Sequence, residues 1–254
     1  MPYSHTPQKL QKSILRNCKK FVLTKKIKRA YVTSTAIGIY DLEINGKQVT
    51  KEYFAPGFTS YKHTLQYNFY DVTDALESKN TIYAVVAGGW AVGRFTYESK
   101  SRITSDRQAF LMELFVEYAD GTTEVLVTDS SWKVTYDGNC RFGDFYDGEI
   151  YDATKDIKNA CWKTADEAEL PFSTEITARY GCPVTTHERM TPVDCFVSPS
   201  GELIYDFGQN FAGYISFSVQ AKEGDQITLR FGELLDEHGE LTQKNIQCSS
   251  KHKT

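Results

Sequence analysis

The dominant period along this chain is two, not 3.6. Phe21-Val22-Leu23, Ala30-Tyr31-Val32 and Ile37 to Ile44 read as strands, and Asn45-Gly46 supplies the positive φ angles of a tight hairpin turn before the chain returns through Lys47-Gln48-Val49. Pro56-Gly57 interrupts the next segment, Thr64 to Tyr70 alternates again, and Asp71 to Leu76 has the form of a capped helical turn ahead of a strand over Thr81 to Ala87. Phe110 to Tyr118 sets Leu111, Glu113, Phe115 and Glu117 against Met112, Leu114, Val116 and Tyr118. Asp120-Gly121 turns the chain and Thr122 to Thr128 returns, followed by a strand at Trp132 to Tyr136. Short strands at roughly ten-residue spacing, joined by Gly and Asx turns, predict an all-β fold of antiparallel β-sandwich, jelly-roll-like domains.

A composition shift divides the chain. Lys163 to Thr177 is acidic and weakly patterned, with Pro171 inside it, which suits a connection between domains. Beyond it, strands are expected near Val184 to Arg189, Cys195 to Val197, Leu203 to Phe207, Ala212 to Gln220 and Gln226 to Glu233, with turns at Pro199-Ser200-Gly201 and Glu223-Gly224-Asp225. The expected organisation is an N-terminal extension over residues 1–20, a first β-sandwich over 21–170 and a second, incomplete β-sandwich over 180–254. The incomplete edge predicts either self-association through the second domain or high mobility beyond about Leu241.

Length and charge narrow the partners. A chain of 254 residues with 41% hydrophobic content can bury two modest cores. Its net charge of −4 mixes both signs, which gives no basic stripe for nucleic acid and no polybasic anchor for a membrane. The first twenty residues carry five Lys and Arg but no apolar h-region, so a cytoplasmic location is expected. Cys18, Cys140, Cys161, Cys182, Cys195 and Cys248 lack metal-binding or disulfide spacing and read as reduced thiols, mostly small core hydrophobes. The five histidines are scattered without a metal-binding pair.

Two motifs carry a family resemblance: Tyr205-Asp206-Phe207-Gly208-Gln209-Asn210-Phe211-Ala212-Gly213, and Phe231 to Gly239 with Glu233 near its start. They resemble the second β-domain of bacterial α-L-rhamnosidases. Tyr40 to Lys47, Ala55 to Tyr61, Tyr70 to Thr73, Gly88-Gly89-Trp90 and Tyr146 to Ala153 resemble, in family order, the successive signatures of the rhamnosidase N-terminal domain. The resemblance implies a helical (α/α)6 catalytic barrel beyond this region, with inverting hydrolysis of terminal α-L-rhamnose. The chain itself is expected to be a non-catalytic carbohydrate-binding and scaffolding region, its partners a rhamnose-containing glycan and the catalytic domain. The rival expectation is a structural docking subunit without sugar binding.

No catalytic residue is assigned. Inverting hydrolysis needs two carboxyl groups across a cleft about 6.5 to 9.5 Å apart, whereas Asp147 and Glu149 alternate on an extended segment and are expected side by side on one face. A calcium ion held by such oxygens is the one cofactor left open. For sugar binding, Trp90 follows two glycines, and Arg94, Tyr97, Phe58 and Tyr61 lie in loops that could converge with it, with Asp147 and Glu149 as hydroxyl acceptors. The alternative for Trp90 is a plug at the end of the core, as expected for Trp132 and Trp162. Asp206, Gln209, Asn210 and Glu233 are either interdomain contacts or residues that close their own turns.

Overall fold

The computed structural model describes residues 14–95, 100–167, 169–170 and 172–246. The chain divides into two units, Met1–Thr186 and His187–Thr254, and each has its own architecture. The first unit is a β-sandwich. One sheet has six strands in the order β13 (Lys163–Thr164), β10 (Lys133–Thr135), β1 (Leu15–Val22), β7 (Lys79–Ala87), β3 (Ile39–Ile44) and β4 (Lys47–Gln48). The other has five, in the order β14 (Glu175–Ala178), β6 (Thr64–Asp71), β2 (Ile27–Ile37), β8 (Ala109–Tyr118) and β9 (Thr123–Val127). Their pairings are antiparallel except that of β14 with β6.

Alternation explains why these segments face each other. Leu42, Ile44, Ile82 and Val86 from the six-stranded sheet meet Val32, Met112, Leu114 and Val116 from the five-stranded one in a single cluster. Burying each such side chain stabilises by about 1.5 to 3 kcal/mol before ordering costs. Trp132 is also in this core, with its Nε1 donating to the Val127 carbonyl at 2.9 Å. Two polar residues of the core pair with each other: the Tyr40 hydroxyl lies 2.8 Å from Ser34 Oγ and donates to the Ser34 carbonyl at 3.2 Å. The expected hairpin turn forms at Asn45-Gly46, with φ of 54° and 75°. Asn45 Oδ1 accepts from the Thr81 amide at 2.9 Å, which ties this turn to β7. The turn at Asp120-Gly121 also forms, with Thr122 N–H donating to Asp120 Oδ1 at 3.0 Å.

The N-terminal extension expected over residues 1–20 does not hold for its last part. Leu15–Val22 is a strand between β10 and β7, in the middle of the six-stranded sheet. Its Lys and Arg residues obscure the alternation, yet Arg16 is buried and its guanidinium donates to the Cys140 carbonyl at 2.7 Å. The first unit also runs past the expected boundary at residue 170. β13 and β14 fall inside the segment read as a connector, and β15 (Val184–Thr185) pairs with β5 (Glu52–Tyr53). Arg179 forms an ion pair with Glu52, its backbone N–H donating to the Tyr67 carbonyl at 3.0 Å. Backbone pairing, the Arg179–Glu52 ion pair and isolated apolar contacts at Ala165, Leu170 and Phe172 hold this segment, and none of these has a hydrophobic period to read.

The second unit has two hairpins: β16 (Asp194–Val197) with β17 (Leu203–Asp206), and β18 (Leu234–Leu235) with β19 (Leu241–Thr242). The turn at Glu223-Gly224-Asp225 forms, with Lys222 N–H donating to Asp225 Oδ2 at 2.7 Å. The strands expected at Ala212 to Gln220 and Gln226 to Glu233 make no ladder among the described residues. Tyr214, Phe217, Val219, Ile227 and Phe231 are exposed. A period of two specifies a face but not the neighbours that a strand needs. Of the cysteines in the described residues, Cys18 and Cys140 are half-buried while Cys161, Cys182 and Cys195 are exposed, so the reading of most as core hydrophobes fails.

Stability should therefore reside in the first unit. Leu42→Ala is expected to cost about 3 kcal/mol, and Tyr214→Ala no more than about 0.5 kcal/mol. Denaturant unfolding followed by far-ultraviolet circular dichroism checks this; equal costs for the two would mean that the second unit carries a comparable core.

Candidate carbohydrate-binding site

A short helix, α1 (Gly89–Val92), follows β7 and carries Trp90. Its approach to β3 is close: a Cβ on Gly89, which has φ of 50°, would lie 2.8 Å from Ile39 Cγ2. Glycine is needed there for both conformation and space. Ala91 and Val92 point into a second apolar cluster with Ile37, Tyr61 and Leu65, against which Trp90, Leu170 and Phe172 pack. The indole is half-buried, neither a fully enclosed plug nor a free plate.

Around Trp90 three other segments bring aromatic rings. Phe145, in the turn between β11 (Cys140–Asp144) and β12 (Gly148–Tyr151), has its ring centroid 4.6 Å from that of Trp90. Phe58 lies 5.8 Å away and Phe54 6.1 Å, both edge-on. Phe95 touches Phe58 at 5.2 Å. Phe58, 54% exposed, presents the most open ring of the group. The sequence reading named Trp90 and Phe58 but missed Phe54, Phe95 and Phe145. The density of aromatics between Tyr53 and Tyr61, and Phe145 directly before the Tyr146-Asp147-Gly148 signature, were the signals available.

Polar groups converge on the same side. Asp144 Oδ2 accepts from the Arg94 backbone N–H at 2.7 Å. Its Oδ1 accepts from the amides of Tyr146 at 2.8 Å and Asp147 at 3.1 Å, which fixes the turn. The Arg94 guanidinium sits 5.2 Å over the Tyr146 ring, and its Nε is 3.5 Å from Asp147 Oδ1. Both side chains of this ion pair are largely buried, at 11% and 18% exposure. An aromatic surface rimmed by a guanidinium and a carboxylate is the chemistry by which proteins hold pyranose rings: C–H faces on aromatic faces, hydroxyls on charged donors and acceptors.

Tyr61 is 3% exposed, its phenol, pushed far up by burial, lies 3.4 Å from the Gly57 carbonyl, and its ring packs edge-on against Phe58 at 5.9 Å, so it is the buried underside of the aromatic group. Other expected members sit elsewhere. Glu149 is an exposed residue of β12 opposite Gly143, while Asp147 lies in the preceding turn beside Arg94; the two do not form the expected side-by-side pair. Tyr97 lies outside the described residues. Trp162 is half-buried against Tyr83 at 6.4 Å rather than in the core. In the second unit Asp206 Oδ1 closes its own turn onto the Gly208 amide at 2.7 Å, Asn210 Nδ2 donates to Glu233 Oε1 at 3.1 Å, and Gln209 reaches Met190 Sδ at 3.7 Å. Among the described residues no group of three or more His, Cys, Asp or Glu side chains is placed to hold a metal ion. Two open grooves lie away from the aromatic group, one of about 470 Å³ beside Glu52, Asn68 and Arg179 and one of about 650 Å³ beside Lys28, Lys47 and Asp74. The aromatic group is a platform rather than a cleft.

The first unit is thus a β-sandwich with an aromatic platform at one end of its strands. The chain belongs to the α-L-rhamnosidase N-terminal domain family, whose pattern matches residues 25–191, and residues 197–254 match the bacterial α-L-rhamnosidase concanavalin-like domain. It is 34% identical over 227 residues to an α-L-rhamnosidase of Alteromonas sp. (strain LOR), a match covering 85% of this chain and 24% of that protein. To an α-L-rhamnosidase of Streptomyces avermitilis it is 30% identical over 235 residues, 89% of this chain and 23% of the relative. The crystal structure of Streptomyces avermitilis α-L-rhamnosidase complexed with L-rhamnose superposes with a TM-score of 0.84 at 29% identity, over 94% of this chain and 24% of that one. The native enzyme of Aspergillus terreus gives 0.81 at 27% identity, over 95% and 28%. The chain thus spans about a quarter of the length of the relatives it matches.

The seat of Trp90 depends on Gly89. Gly89→Ala combines a disfavoured φ with a contact of 2.8 Å and is expected to destabilise by about 1 to 3 kcal/mol. Thermal unfolding together with tryptophan emission checks this; unchanged stability and spectrum would mean that α1 does not depend on that close approach.

Proposed function

We propose that this chain is the carbohydrate-recognition and scaffolding region of a bacterial α-L-rhamnosidase, and that its first unit holds a rhamnose-bearing glycan on the aromatic platform around Trp90. The observation that carries this reading is the convergence of Trp90, Phe58, Phe54 and Phe145 with Arg94 and Asp147 in one place. Membership of the rhamnosidase family supplies the sugar class. In the whole enzyme, hydrolysis of terminal α-L-rhamnose would fall to another domain. Asp147, the carboxylate nearest the aromatic group, lies beside the Arg94 guanidinium at 3.5 Å, and no second carboxylate stands across a cleft from it among the described residues.

Stacking of one ring gives modest affinity. A titration of L-rhamnose followed by protein NMR is expected to give a dissociation constant between about 1 mM and about 50 μM, or roughly −4 to −6 kcal/mol. Phe58→Ala should weaken it about tenfold without loss of fold, because that ring is 54% exposed. An aryl α-L-rhamnoside should release nothing above blank. If no resonance moves with rhamnose while the protein stays folded, sugar recognition is wrong and a docking role is left; turnover lost on Asp147→Asn would overturn the assignment of catalysis elsewhere.

A further inference from the structure

We propose that the outer face of the five-stranded sheet is a docking surface for a second copy of this chain. The alternation that buries Ala30, Val32, Ser34 and Ala36 of β2 turns Arg29, Tyr31 and Thr33 outward, and in β8 the outward set is Leu111, Glu113, Phe115 and Glu117. The open face of an antiparallel sheet is ordinarily polar. This one exposes Phe69 at 59%, Leu111 at 49%, Val125 at 51% and Val127 at 44%, and Tyr31 stacks on Phe69 at 5.0 Å.

The order of charges selects the occupant. Along the paired strands β2 and β8, Arg29 stands opposite Glu117, Tyr31 opposite Phe115 and Thr33 opposite Glu113; on the flanking strands Phe69 stands opposite Thr33 and Val127 opposite Glu113. A two-fold axis along the strands, between β2 and β8, lays β2 of one copy over β8 of the other and β6 over β9. Arg29 and Glu117 already pair across the sheet, with Lys28 also on Glu117, and each Arg29 then also faces Glu117 of the second copy; each Tyr31 faces Phe115, each Phe69 faces Val127, and each Glu113 faces Thr33. No carboxylate meets a carboxylate, and every contact occurs twice, as an isologous interface requires. Asp71, whose carboxylate is already bonded to Thr73, falls at the rim. Two such faces packed together bury on the order of 1,000 Å², the lower end for a specific interface, so the dimer is reversible. None of these side chains belongs to the Trp90 group, and the inference does not rest on sugar binding.

Sedimentation of the whole chain from about 5 to about 500 μM tests it. The expected result is a concentration-dependent dimer that Phe69→Lys and Val127→Lys each weaken at least tenfold while circular dichroism stays unchanged. Arg29→Glu should weaken it similarly, and the exchange Arg29→Glu with Glu117→Arg should restore it. A monomer throughout the range, a dimer indifferent to these changes, or one abolished only by Tyr214→Lys and Phe217→Lys in the second unit would overturn the proposal.

Discussion

The apolar layer between the two sheets is the constraint on which the first unit depends. Each strand can offer one face to it, and once Leu42, Ile82 and Val86 on one side meet Val32, Met112 and Leu114 on the other, register is no longer free. A slip by one residue would turn each inward set outward and expose what the core needs. Several of the buried polar residues are bonded, as with the Tyr40 hydroxyl against Ser34 and Arg16 against the Cys140 carbonyl. That last contact shows how a charged residue can take a place in a central strand when a carbonyl is there to receive its guanidinium.

Because the core fixes the strands, it also fixes where the loops between them emerge. The segment after β7, the one holding Phe54 and Phe58, and the hairpin of β11 with β12 meet around Trp90, and Asp144 binds two of them through three backbone amides. Backbone bonds to Asp144 and ring-to-ring packing together hold the aromatic group. Side chains ordered in this way lose little entropy on meeting a ligand. The ion pair of Arg94 and Asp147 holds both of its groups in one orientation beside the rings.

What could be read from the chain follows from the range of each signal. Asn45-Gly46 and Asp120-Gly121 were legible as turns because their requirement for positive φ is local. The inward sets of β2, β3, β7 and β8 were legible because a period of two is local as well. Strand β1 was hidden by Lys19 and Lys20, whose side chains lie on solvent while the backbone pairs with β7 over eight positions. Tyr61 read as a loop aromatic, and only the packing of Ile37, Leu65 and Val92 around it makes it core. Phe145 and Phe54 are some ninety residues apart, and no single-sequence pattern says that their rings touch. The site was therefore partly legible: Trp90, Phe58, Arg94 and Asp147 could be named from their residue types and loops, but Phe54 and Phe145 could not.

The two units separate what a period of two supplies from what it does not. Residues 212–220 alternate as clearly as β8, yet β8 has β2 and β9 as ladder partners while residues 212–220 have none among the described residues. The consequence differs in kind. On the outer face of the five-stranded sheet the backbone is satisfied and only side chains are exposed, so association there is a matter of packing and charge order and can be reversed. In residues 212–220 both apolar side chains and backbone groups lie outside any ladder among the described residues, and a segment of that kind gains most from a neighbouring strand, which supplies hydrogen bonds as well as burial.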